Sequence, residues 1–119
     1  MAINFQSISK RFDPNTHYAV AMQPPPAFTH HINRQYLDIP YTPFDKRSIS
    51  HTLNIYLPEK GERPYPVILS FHGGAFMGCD KADRQLQPML EGLNRGYAVV
   101  AVNYRLSWEA TFPALVQDA

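Results

Sequence analysis

The residues best equipped for chemistry are His72, Gly73, Gly74 and Ala75, which follow the apolar run Val67-Ile68-Leu69-Ser70-Phe71 and lead into Phe76. A strand that breaks at a glycine pair lets backbone N–H groups point into a cavity. There they can stabilise negative charge on a carbonyl oxygen during acyl transfer. Glycine suits the position because no Cβ obstructs a close approach. A glycine pair serves equally as a tight turn, so an attacking group is needed to decide the matter. The serines are Ser7, Ser9, Ser48, Ser50, Ser70 and Ser107, and none stands in a GxSxG elbow. The pattern is therefore that of an oxyanion hole without its nucleophile.

Other polar residues have weaker claims. His72, at a strand end, can act as a base or brace the turn by hydrogen bonding. His30 and His31 are adjacent, which in an extended segment sends them to opposite sides and argues against a shared metal. His17 and His51 read as lone surface histidines. Asp80 and Asp83 form a carboxylate pair on paper, but near a helix start such groups cap and complement the dipole. Cys79 has no neighbouring base and reads as filler. Tyr104 and Trp108 either line a cleft or pack as strand-end aromatics.

The elements that must position these residues follow from periodicity. Residues 1–34 are polar and irregular, with Pro24-Pro25-Pro26 enforcing an extended stretch, and read as an arm on the surface. From Gln35, Tyr36–Tyr41 and Ser50–Leu57 alternate apolar and polar residues, which predicts two half-buried antiparallel strands. Pro66–Phe71 and Tyr97–Tyr104 are almost continuously apolar and β-branched, as in strands covered on both faces. Between them Leu86, Met89, Leu90 and Leu93 form one helical stripe, with Asp80 as N-cap and Gly96 as stop. Pro88 fits the first turn, so the regular helix begins near Gln87. Strand, helix and strand predict a right-handed parallel crossover. A further helix starts within Phe112–Ala119.

An apolar fraction of 45% with 13% aromatics can fill a core, so the chain is expected to fold or associate. Eleven basic against ten acidic side chains, without runs of like charge, leave no footprint for nucleic acid or anionic lipid. One cysteine excludes an internal disulfide and a thiolate zinc site. No signal-peptide pattern and no stretch of about 20 apolar residues stands in the sequence, so a cytoplasmic protein without a membrane span is the expectation. No cofactor or metal is called for.

Taken in order, Leu53-Asn54-Ile55-Tyr56-Leu57-Pro58, His72-Gly73-Gly74-Ala75-Phe76 with Gly78, Asn103-Tyr104-Arg105-Leu106-Ser107, and Phe112-Pro113-Ala114 with Asp118 resemble the N-terminal part of an alpha/beta-hydrolase. The branch resembled is the esterase and lipase kind, close to hormone-sensitive-lipase-like and feruloyl/acetyl-esterase-like enzymes. The resemblance runs from about Gln35 to Ala119. It implies an α/β fold holding the first four strands and first crossover helix of a mostly parallel sheet.

It also implies that Gly74 and Ala75 donate oxyanion N–H groups, with Gly73 shaping the turn and Ala75 replacing a third glycine. The replacement is tolerable unless φ must be positive there. The family's order of serine, acid and histidine places all three later, so His72 supports the turn and Asp118 is no triad acid. Arg105 and Asp118 then form a loop clamp or ion pair.

The third strand would normally lie between the fourth and a fifth, so here it becomes an apolar edge available for association. A complete member needs about 250 residues. The expected partner is a small ester, once a C-terminal half completes the site. The chain is thus expected to be inactive alone, as a truncation, partial gene product or half of a split enzyme. The alternatives are a non-catalytic fragment or interaction protein pairing through that edge, and, less well matched, a nucleotide-binding module lacking GxGxxG and P-loop signatures.

Overall fold

A computed structural model of the chain describes residues 24–43 and 48–119. The first 23 residues of the expected arm, His17 among them, lie outside the described residues. Four strands form one sheet: β1 (Gln35–Pro40), β2 (Thr52–Tyr56), β3 (Val67–Phe71) and β4 (Ala98–Val102). Their order is β1-β2-β4-β3. β1 pairs antiparallel with β2 and β2 antiparallel with β4, while β3 and β4 run parallel in register from Val67↔Ala98 to Phe71↔Val102. The four strands of the alpha/beta-hydrolase start are present. Within these residues, however, the sheet is mixed and not mostly parallel, because the parallel partners of such a sheet begin with the β3–β4 crossover.

That crossover is a broken helix. A 3₁₀ turn at Arg84–Leu86 leads into α1 (Gln87–Leu90), followed by a 3₁₀ turn at Glu91–Arg95. Pro88 sits in the first turn of α1, where its missing N–H costs nothing. Gly96 closes the segment in the left-handed region, at φ 83°, which glycine adopts without a Cβ clash. The N-cap is Asp83, whose carboxylate accepts from Gln85 N–H, and not Asp80. Leu86 and Leu90 enter the core and Leu93 packs against it, whereas Met89 faces solvent. The stripe does not survive intact because 3₁₀ turns of three residues displace a register set by 3.6.

The core joins Leu86 and Leu90 to Ile32, Tyr56, Val99 and Ala101. Residues 24–34 run against the start of the crossover. Ala27 N–H donates to Ala82 O, and Arg84 N–H donates to Pro25 O. β4 is buried along both faces, as its apolar run demands. β3 is not covered on both faces: Val67, Leu69 and Phe71 are 57%, 55% and 44% exposed, as the edge position expected of a third strand without a fifth entails. α1 and its flanking turns cover only the Ile68 face, and β3 is the sheet edge. The final helix, α2 (Ala114–Asp118), forms where expected.

Candidate active site

β3 delivers the chain directly into the turn at its C-terminal end, beside the exit of β4. His72 is buried, and its ring stacks on Tyr104 with centroids 4.5 Å apart and planes 11° from parallel. Tyr104 Oη donates to His72 O, and His72 Nδ1 lies 2.8 Å from Gly73 O. Both rings therefore lie against the base of the turn. Gly73 N–H donates to Gln85 Oε1 at 3.0 Å, so this amide is tied back to the crossover.

The next two amides differ. Neither Gly74 N–H nor Ala75 N–H has an acceptor among the described residues. Gly74 has φ 129°, and a Cβ there would overlap the Gly78 carbonyl oxygen, so only glycine fits. Ala75 and Phe76 follow at φ 53° and 58°, in the left-handed region that L-residues occupy at a cost. Positive φ is thus required at the alanine after all. The turn is closed by Met77 N–H donating to Gly74 O at 2.9 Å and Ser107 N–H donating to Phe76 O at 2.7 Å.

This turn forms one wall of a cleft of about 340 Å³, whose other sides come from Phe71, Tyr104, Leu115, Val116 and Ala119. The lining is mainly apolar. Gly74 and Ala75 are both among the residues that line the cleft. Trp108 does not line the cleft and is 48% exposed.

Arg105 and Asp118 meet as a two-pronged pair, Nε to Oδ2 at 2.7 Å and Nη2 to Oδ1 at 2.8 Å. Arg105 N–H adds a third bond to Oδ2 at 3.0 Å. Burial alone raises the Asp118 carboxyl, but the Arg105 side-chain and backbone donors outweigh it and hold the group below its ordinary range. His51 Nε2 approaches the same Oδ2 at 3.2 Å. His51 is therefore not a lone surface histidine. It joins the 3₁₀ turn Ile49–His51 to the clamp that seats α2 against the cleft.

Asp80 and Asp83 act structurally. Asp80 accepts from Ala82 N–H and from Asn103 Nδ2, and Asp83 receives Asp80 N–H besides capping the crossover. Among the described residues no group of three or more metal-ligating side chains assembles, and Cys79 is buried. His30 and His31 both flank the Phe28 ring, at 3.8 and 4.9 Å between centroids. Sequence reading did not single out Gln85 and gave Asn103 no role beyond its motif, because their roles depend on partners 12 and 22 residues away.

Strand order, parallel crossover and a glycine turn at the end of β3 are those of the start of an alpha/beta-hydrolase fold. The BD-FAE family model matches residues 53–119, and the chain belongs to that family. Three solved structures are similar. A bifunctional GH43-CE protein of Bacteroides eggerthii shares 36% identity over 71% of this chain and 12% of its own, with a TM-score of 0.58. A truncated carbohydrate esterase from gut microbiota shares 27% over 78% and 32%, with a TM-score of 0.63. A putative thioesterase from Silicibacter sp. TM1040 shares 27% over 72% and 30%, with a TM-score of 0.57. The chain spans about a third or less of the length of these structures. No curated protein matches it. Among the described residues no helix is long and apolar enough to cross a membrane.

Proposed function

We propose that this chain supplies the scaffold and oxyanion hole of a carboxylic-ester hydrolase, with Gly74 and Ala75 as the two N–H donors. The observation that carries the reading is the pair of unaccepted amides at the rim of an apolar cleft. Serine, acid and histidine are contributed by polypeptide outside these residues. In the reaction the serine oxygen attacks the ester carbonyl, the histidine takes its proton, and the carbonyl oxygen becomes anionic. The donors stabilise that anion, each contributing about 10²–10³ in kcat. Collapse of the tetrahedral intermediate expels the alcohol and leaves an acyl-serine for water to cleave. Gly73 shapes the turn through Gln85, His72 and Tyr104 brace it, and Arg105 with Asp118 fixes the loop behind it.

Two of the similar structures are named for carbohydrate esterase activity, which supports esters borne on carbohydrate as the substrate class. The test uses a small activated ester such as p-nitrophenyl acetate. The chain by itself gives no acyl-enzyme burst. Joined to a BD-FAE C-terminal segment carrying a GxSxG serine, it turns the ester over. A burst from the isolated chain contradicts the reading, as does a folded, serine-bearing chimera without turnover.

A second reading is favoured by one observation, the exposed Val67, Leu69 and Phe71 along edge strand β3. There the chain is an interaction protein that adds a partner strand at this edge. A stable, monodisperse complex in which ester hydrolysis never appears supports that alternative.

A further inference from the structure

One fully buried amide, Asn103 at the end of β4, fastens the chain leaving the candidate oxyanion turn at Asp80 and Lys81. All its polar groups are engaged. Oδ1 accepts from Lys81 N–H at 2.8 Å, and Nδ2 donates to Asp80 Oδ2 at 2.9 Å and to Ile49 O at 3.2 Å. Its backbone N–H donates to Thr52 O at 3.0 Å, and its carbonyl accepts from Tyr41 Oη at 2.8 Å.

We infer that Asn103 is a positioning residue, which sets where the Gly74 and Ala75 amides stand by fixing the Gly78–Lys81 segment on which Gly74 rests. The contact between the two stretches is close. A Cβ at Gly74 would overlap Gly78 O and stand 3.0 Å from Cys79 Sγ, so there is no slack between them. On the other flank Ser107 N–H holds Phe76 O at 2.7 Å. One short segment, 103–107, therefore fixes the turn from both sides.

A second tie runs outward. Lys81 is buried, and its ammonium donates to Asp38 Oδ1 at 2.7 Å. Asp38 stands at the bulge of β1 with φ 53°, where its own N–H donates to Asn54 Oδ1. The bulge thus aims a carboxylate at the loop, and the turn is referenced to three strands.

Asparagine is the side chain this junction requires. It offers an acceptor to Lys81 N–H and donors to Asp80 and Ile49 at once. An aspartate would set a second carboxylate against Asp80, and an apolar residue would leave Lys81 N–H and the Asp80 oxygen buried without partners. The functional meaning of the inference rests on the oxyanion reading of the turn.

The test compares the intact chain with Asn103→Asp, Asp80→Asn and the double variant, by amide hydrogen exchange and ¹⁵N–¹H spectra. Met77 and Ser107 N–H report closure of the turn, the Gly74 and Ala75 resonances report its geometry, and Val100 N–H reports the sheet. Each single variant is expected to speed exchange at Met77 and Ser107 about tenfold and to move the Gly74 and Ala75 resonances, with Val100 little changed. The double variant restores an acid–amide pair and recovers most of the protection, short of full recovery because Ile49 O then faces a carboxylate. Should Asn103→Asp fail to fold, Asp80→Asn against the double variant makes the same comparison. Unchanged exchange at Met77 and Ser107, or equal loss at Val100 without rescue, overturns the inference. These readouts need no turnover: failure of the ester assay would remove the catalytic meaning, whereas failure here would leave the esterase reading standing.

Discussion

Ala75 stands at φ 53° where the resembled pattern has glycine. A left-handed alanine costs about 1–2 kcal/mol, while glycine's extra freedom when unfolded costs about 0.5–1 kcal/mol. Ala75→Gly is therefore expected to leave stability unchanged or raise it by up to about 1.5 kcal/mol in thermal denaturation; a clear loss contradicts the strained geometry. Asp118 makes a different prediction. Its folded carboxyl lies below the ordinary value of 3.8, so the clamp contributes fully above that pH and is lost as pH falls through the lower folded value. Asp118→Asn should cost about 1–2 kcal/mol at neutral pH and flatten the acid limb of stability against pH. An acid limb identical to that of the unaltered chain would show that another carboxylate governs it. At this scale the glycine turn and the Arg105–Asp118 pair were legible, since each lies within a short motif. His51 was not, because its partner is 67 residues distant and no local pattern announces it.

The strands and the crossover were legible as elements because alternation and unbroken apolar runs are properties of neighbouring residues. Composition alone did not separate β3 from β4; the family resemblance did, by implying an uncovered edge at the third strand. β3 reads like β4 in composition, yet only β4 has partners on both edges and cover on both faces. The edge offers main-chain groups and apolar side chains together, which favours pairing between molecules. The chain is expected to self-associate with rising concentration in light scattering, and Leu69→Lys, on a side chain already 55% exposed, to suppress this without lowering the melting temperature. Association that ignores the substitution would place the contact elsewhere. The stop of the crossover gives a cleaner energetic case. A Cβ at Gly96 would meet nothing within 4 Å, so Gly96→Ala should cost about 1 kcal/mol from backbone conformation alone.

Across the whole molecule, a mixed four-stranded sheet brings three distant stretches to one end: the turn after β3, the residues after β4, and α2. Their meeting is a consequence of topology. What the motifs did not disclose was the buried polar lattice beneath, because the partners of Asn103, Lys81 and Asp80 come from stretches that meet only when the sheet closes. The BD-FAE match and the esterase-type scaffold give that end of the sheet its chemical context.

The most direct measurement replaces the Ala75 amide by an ester, placing lactate at that position in the chain joined to a GxSxG-bearing segment. The substitution deletes one N–H and leaves the methyl side chain in place. The account predicts that kcat for an activated ester falls about 10²–10³-fold while KM changes little. A kcat equal to that of the amide-containing protein would mean that this N–H stabilises no charge in the reaction, and the oxyanion assignment would be contradicted.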